Sequence, residues 1–190
     1  MRLPISLDRH EKRGKGGIRL KYLVKRAQKR DDQAFVELME IEKQDMYKVA
    51  RSYLRSPEDI ADAIQETIVT CYEKIDGLKE PKYFKTWLVR ILINKCKDIL
   101  RMEKKEALQE AFPEKGDECM AYQNCEFEEL MNQLDEKYRI ILLLYYSEGF
   151  KIREIAQILE LEENTVKTRL VRGRKQFEKA YSLEPAISRR

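Results

Sequence analysis

The sequence is poor in the residues that build tight turns, covalent staples and metal sites. Its 190 residues include seven Gly, five Pro, four Cys, one Trp and a single His. So few Gly and Pro leave little room for an architecture of many short strands and turns. A tetrahedral zinc site draws on about four nitrogen or sulfur ligands at close spacing. Cys71, Cys96, Cys119 and Cys125 are scattered without C-x-x-C spacing and His10 stands alone, so no metal is expected. There is also no P-loop and no nucleophile–base pair. The chain therefore reads as a non-enzyme with no cofactor and no small-molecule substrate. The N-terminus lacks the apolar core of a signal peptide. The longest apolar run, Ile140 to Tyr146, is far short of the ~20 residues a membrane helix needs. The expected location is the cytoplasm.

Charge is what the sequence has in quantity, at 38% of residues, beside 43% hydrophobic ones. The net charge of +4 is too small to identify a partner, but its distribution is informative. Cations crowd from Arg9 to Arg30 and again from Lys167 to Lys179, around an acidic middle from Glu103 to Glu129. Blocks of opposite sign suggest separate surfaces with separate partners. Cys71 and Cys96 fall on apolar helix faces and read as small core residues. Cys119 and Cys125 lie in the acidic stretch as candidate exposed thiols, with no neighbouring cation to activate them.

Periodicity makes the fold all-α. Asp31 or Asp32 can cap a helix with Phe35, Leu38 and Met39 on its apolar face. A second segment carries Met46, Val49, Ala50, Tyr53 and Leu54 and stops at Ser56-Pro57. Pro57 suits the first turn of a third helix, capped by Ser56 and favoured by Glu58 and Asp59. That helix repeats Ile60, Ile64, Thr67, Ile68, Cys71 and Ile75 on one side and ends at Asp76-Gly77. A fourth helix is expected from about 82 to 101, with Phe84, Leu88, Ile91, Cys96 and Ile99 inward. Periodicity then fails through an acidic segment containing Pro113 and Gly116, which reads as a flexible linker.

Beyond it, residues 135 to 147 form a strongly apolar helix closed by Gly149. Ile152, Ile155, Ala156 and Leu159 make the stripe of a short one, and a turn at Glu160-Leu161-Glu162 leads into a third. On this last helix Val166, Leu170, Gly173 and Phe177 face inward. Such a three-helix pattern is that of a helix-turn-helix. The outward side offers Thr165, Lys167, Thr168, Arg169, Val171, Arg172 and Lys175. Arg and Lys can donate to guanine edges, Thr and Val can touch thymine methyls, and surplus cations can neutralise phosphates. A basic helix face can also be merely solvated. Its place on the third helix of this pattern favours DNA.

Two further groups stand out in the first unit. Asp59, Asp62, Glu66 and Glu73, with Gln65 alongside, line the side of their helix opposite the apolar stripe. This is either a solubilising face or a dock for a basic partner. Lys79, Lys82, Tyr83, Lys85 and Trp87 put aromatics beside cations just before a stripe of Arg90, Asn94, Lys97 and Arg101. That composition suits an unstacked base, although Phe84 and Trp87 also fit a core.

The stretches Leu134 to Arg139, Gly149 to Ala156 and Asn164 to Arg174 closely resemble region four of ECF-type RNA polymerase sigma factors. They carry the "L-x-x-x-x-R", "I-x-E-I-A" and "T-V-K-T-R-L-x-R-G-R" elements in order. Glu58 to Thr67 resembles the family's "E-D-x-x-D-x-x-Q-E-T", and Tyr83 to Ile91 its "F-x-T-W-L-x-R-I". The resemblance spans about residues 20 to 181. It implies a subunit that binds core RNA polymerase through its clamp helices and flap and reads promoter DNA. Lys167, Thr168, Val171 and Arg172 would then read bases of the −35 element, with Arg169, Arg174 and Lys175 on phosphates and Thr165 beside them. Asp59, Asp62, Gln65 and Glu66 would dock on the clamp. The loop from Asp76 to Lys82 would capture a −10 base, with Lys79, Lys82, Tyr83, Arg90, Asn94 and Lys97 on −10 DNA. The family is commonly held inactive by an anti-sigma factor, often anchored in the membrane, so such a partner is implied here.

The expected organisation is a basic tail (1–19), a four-helix unit (20–102), an acidic linker (103–126) and a helix-turn-helix unit (127–183). The linker could fold back on the basic recognition helix as a self-inhibitor. One competing reading is a stand-alone helix-turn-helix regulator, which leaves the acidic stripe and the Trp87 helix without a role. Another is a nucleic-acid enzyme, for which catalytic residues are wanting.

Overall fold

A computed structural model describes residues 9–107, 131 and 133–183, and every regular element among them is a helix. The first unit consists of α1 (Arg9–Ala27), α2 (Asp32–Arg51), α3 (Pro57–Lys74) and α4 (Phe84–Ala107). The second consists of α5 (Glu136–Leu142), α6 (Ile152–Leu159) and α7 (Glu163–Leu183). Cys119, Cys125 and most of the acidic linker lie outside the described residues.

The expected helix signals operate where the sequence places them. Asp31 caps α2, its side chain accepting from the Ala34 N–H at 3.0 Å. Ser56 caps α3 by accepting from the Asp59 N–H at 3.3 Å, with Pro57 in the first turn. Gly149, at φ 63°, closes the apolar helix after a π-helical turn spanning Leu143–Ser147.

Two elements differ from the sequence reading. The segments expected as separate helices on either side of residue 42 are one unbroken helix, α2. Its inward stripe runs Leu38, Glu42, Met46 and Val49, all buried, so the stripe continues through a carboxylate. Periodicity counted on apolar residues alone breaks at Glu42, whereas the helix does not. The ammonium of Lys85, reaching in from α4, makes this possible: its Nζ lies 2.6 Å from Asp45 and 3.9 Å from Glu42. The second difference is at the N-terminus. The basic stretch expected as a tail is helical from Arg9, and α1 runs through residue 19 to Ala27. Leu23, Val24 and Ala27 pack it onto the core.

The helix α4 is the centre of the molecule. Phe84, Leu88 and Cys96 are buried as expected, and Ile91 and Ile99 are half-buried. Val89, Leu92 and Ile93, which the sequence reading did not assign to the inward face, are also buried. The reason is that α4 packs on α3 and α2 within its own unit and on α6 of the other. A helix covered on two sides needs apolar residues around most of its circumference.

The helix-turn-helix closes on small residues. Val166, Leu170, Gly173 and Phe177 are buried and turn α7 onto α5. A Cβ on Gly173 would meet Tyr138 Cβ at 3.3 Å and Leu142 Cδ1 at 3.4 Å. Alanine requires a shift of only tenths of an ångström and gains helix propensity. Leucine must push α5 away, an overpacking cost of about 1–3 kcal/mol. Thermal unfolding is therefore expected to separate Gly173→Ala, near neutral, from Gly173→Leu, clearly destabilised. Equal midpoints would contradict the tight crossing.

Candidate nucleic-acid interface

Burial of one stripe of α7 dictates what the other presents. Lys167, Thr168, Val171, Arg172 and Lys175 are exposed together, flanked by half-buried Thr165 and Arg169. Val171 is a large apolar side chain in water with no core role, which suits contact with a base methyl. The Thr168 hydroxyl donates to the Asn164 carbonyl at 2.8 Å, so what it offers outward is its methyl and its acceptor lone pairs. The structure places Arg174 elsewhere. It is half-buried, with its guanidinium 5.3 Å and 5.8 Å from the ring centres of Tyr146 and Tyr145. It packs α7 against the turn after α5 and does not share the exposed face.

The second basic surface lies at the start of α4. Lys79, Lys82 and Tyr83 are exposed on the loop between α3 and α4, and Lys82 Nζ sits 4.9 Å from the Tyr83 ring centre. The loop is tethered from α1: Gln28 Nε2 donates to the carbonyls of Ile75 and Leu78 at 3.1 and 2.7 Å. These bonds satisfy backbone acceptors that a helix end would leave open. Between the loop and α1 runs a groove of about 380 Å³ bordered by Lys21, Tyr22, Lys25, Pro81 and Lys82. Sequence reasoning missed Gln28 and this α1 edge. The i, i+4 spacing of Lys21 and Lys25 was the available signal. Arg90 and Asn94 are exposed on α4 and Lys97 is half-buried. Arg90 is not free, because its guanidinium donates to Glu160 in the turn of the helix-turn-helix.

The acidic stripe lies on the outer side of α3. Asp62, Gln65 and Glu66 are exposed and Asp59 is half-buried. Ala63 and Thr67 are buried behind it, the Thr67 hydroxyl donating back to the Ala63 carbonyl at 2.7 Å. Glu66 pairs with Lys95 of α4 at 2.9 Å, whereas Asp62 is exposed with no ion pair among the described residues. Cys71 and Cys96 are buried, and desolvation pushes both thiols up to about 12. They are core residues without thiolate chemistry.

Comparison with known proteins agrees with this layout. The "Sigma-70 region 2" family matches residues 38–106, and "Sigma-70, region 4" matches residues 126–177. RNA polymerase sigma factor SigV of Bacillus subtilis is 34% identical over 137 residues, covering 70% of this chain and 82% of that protein. The ECF RNA polymerase sigma factor SigW of the same organism is 27% identical over 179 residues, covering 84% and 95%. Among solved structures, the sigma factor RpoE in complex with the anti-sigma factor NepR from Bartonella quintana superposes with a TM-score of 0.69. That match has 21% identity and covers 80% of this chain and 98% of the other, a likeness of fold.

Proposed function

The chain belongs to the ECF-type RNA polymerase sigma factors, and from that premise we propose how its surfaces divide the work of binding core polymerase, selecting promoters and opening the −10 DNA. The observation that carries this is the pairing of two differently charged, exposed surfaces on the two units. The exposed basic face of α7 reads the −35 element. The acidic stripe around Asp62 docks on the clamp helices, and the Lys79–Tyr83 loop with the α4 stripe engages the −10 strand. The second unit also meets the flap. An alternative sigma factor works where polymerase and chromosome are, in the cytoplasm. None of the described helices is long and apolar enough to cross a membrane. The chemistry is recognition and strand separation, with polymerase performing catalysis. An anti-sigma factor is the expected antagonist, because the stripe and both basic faces offer large charged surfaces to a competitor.

Two experiments test this assignment. Genomic DNA fragments are captured on the tagged chain with and without core polymerase. Enrichment of upstream regions is expected only when core is present. Equal enrichment by the chain alone would favour a stand-alone regulator. Within α7, Arg172→Ala and Lys167→Ala are each expected to weaken the −35 contact by about 1–3 kcal/mol and relax its sequence preference. Lys175→Ala is expected to weaken all sequences alike and flatten the salt dependence. Competition binding against −35 variants distinguishes these effects, and an unchanged preference in Arg172→Ala removes Arg172 from the reading face.

A further inference from the structure

Besides the apolar packing of α4 on α6, the two units are closed on one another through charged groups that promoter recognition does not explain. Lys85, on the first turn of α4, sends Nζ to Glu148 of the second unit at 3.2 Å as well as to Asp45 at 2.6 Å. Its ammonium also faces the Phe150 ring, 5.7 Å from the centre. The Glu148 side chain is 1% exposed. Two further contacts cross the boundary. Arg90 pairs with Glu160, and Arg139 Nε donates to the Ser52 carbonyl at 3.1 Å. A carboxylate that deep in protein is tolerated only against a partner charge. The electrostatics agree. Burial drives the Asp45 carboxyl up, but the charge and hydrogen bond of Lys85 outweigh it and hold the group down to about 2. Burial, joined by the charge and hydrogen bond of the neighbouring Asp45, pushes Glu148 above the usual carboxylate range despite Lys85, so its ionised form is held at a cost in the closed arrangement.

We propose that Lys85 and Glu148 form an ionic latch that holds the free chain in a closed state, unable to engage both promoter elements, and that opening this latch is a step of activation. The dimensions require an opening. A compact chain of this length has a radius of gyration of about 16 Å, so it is about 40 Å across. Elements named −35 and −10 are separated by roughly 80 Å of duplex at 3.4 Å per base pair. The closed state also occupies Arg90 with Glu160, removing a cation from the stripe assigned to −10 DNA. The inhibition rests on that functional reading, while the closure does not.

The chemistry of the latch suits reversible control. The apolar packing of α4 on α6 gains free energy with every atom buried but specifies register weakly. In a buried ion pair the Coulomb attraction is largely offset by the desolvation of both ions. On opening, Glu148 returns to water and Lys85 retains Asp45 and Glu42, so neither charge is abandoned. The ion pair therefore fixes the register of closure while adding little net strength to the apolar packing of α4 on α6, which leaves the seam within reach of a competitor such as polymerase.

The test measures distance in the free full-length chain. Labels are placed at Lys43→Cys and Lys179→Cys, both exposed sites, with Cys119→Ser and Cys125→Ser removing the two cysteines that are not in the buried core. Double electron–electron resonance on this protein is expected to give one short, narrow distribution. Lys85→Met leaves Glu148 facing two other carboxylates and is expected to shift the closed-to-open ratio by about a hundredfold or more. Glu148→Lys, made in the other unit, opposes Lys85 directly and is expected to do the same, which covers the case in which Lys85→Met perturbs the first unit. Lys85→Arg keeps the charge and is expected to stay closed. A broad, long distribution in the unsubstituted chain overturns closure. A short distance retained in folded Glu148→Lys overturns the latch.

Discussion

Replacing Asp62 by Lys together with Glu66 by Lys is expected to abolish co-purification with core RNA polymerase while leaving helix content intact. Both side chains are exposed on α3, so neither change disturbs the core behind them. The two positions do not contribute equally. Glu66 already pairs with Lys95, so Glu66→Lys removes an internal ion pair and sets two ammonium groups against each other. That internal term is small, because exposed pairs contribute about 0–1 kcal/mol. Asp62 has no such partner among the described residues. Like charges placed against a basic surface cost several kcal/mol and slow association as well. Asp62→Lys alone is therefore expected to account for most of the loss. Co-purification at the unsubstituted level would show that the stripe is only a solvated face.

The second large effect is expected at Phe84. Its side chain is fully buried at the junction where the loop carrying Lys79, Lys82 and Tyr83 becomes α4, beside Trp87 at a ring separation of 6.1 Å. Phe84→Ala removes a large aromatic from a site walled by helices, a change that costs about 3–5 kcal/mol. Set against a typical total of about 5–15 kcal/mol, that is a large fraction of the chain's stability. The functional consequence follows from position. Lys82 and Tyr83 lead straight into Phe84, and the loop that carries them is tied by Gln28 at the Leu78 carbonyl and by the Tyr83 N–H donating to the Glu80 carbonyl at 3.0 Å. Promoter opening is expected to fail before −35 binding does, because α7 is anchored by a separate set of buried residues. Calorimetry combined with permanganate reactivity of the −10 strand reads both effects. Phe84→Leu, which refills most of the volume, should recover much of each. Unaltered unfolding of Phe84→Ala would mean that the junction is not packed as described.

Much of this was legible in the sequence, and the exceptions share a cause. The α3 caps at Ser56 and Pro57, the buried stripe of α7 and the turn at Glu160 follow from local rules, because the neighbours that decide them lie within one helical turn. The exposed basic face of α7 was legible as the complement of its buried stripe, except at Arg174. There the charge suggested phosphate, but Tyr145 and Tyr146 across the helix pair hold the guanidinium. The break read into α2 has a similar origin. Glu42 and Asp45 look like surface residues until Lys85, about forty positions later, is brought against them. The additional burial of Val89, Leu92 and Ile93 reflects contact between the two units. Pattern within one helix reports how many sides are apolar, but not which partner covers each. The α1 helix was obscured for the opposite reason, since its density of cations resembles a tail.

The central claim is that the chain confers promoter specificity on polymerase, and transcription in vitro tests it most directly. Core RNA polymerase is supplied with a genomic promoter library, with and without the chain, and 5′ ends of the transcripts are mapped. The expected result is a discrete set of new start sites, each preceded by common −35 and −10 sequences, that appears only with both components. Loss of those start sites in the Asp62→Lys protein should accompany its loss of polymerase binding. No new start sites, with the chain alone retaining the same fragments, would contradict the assignment.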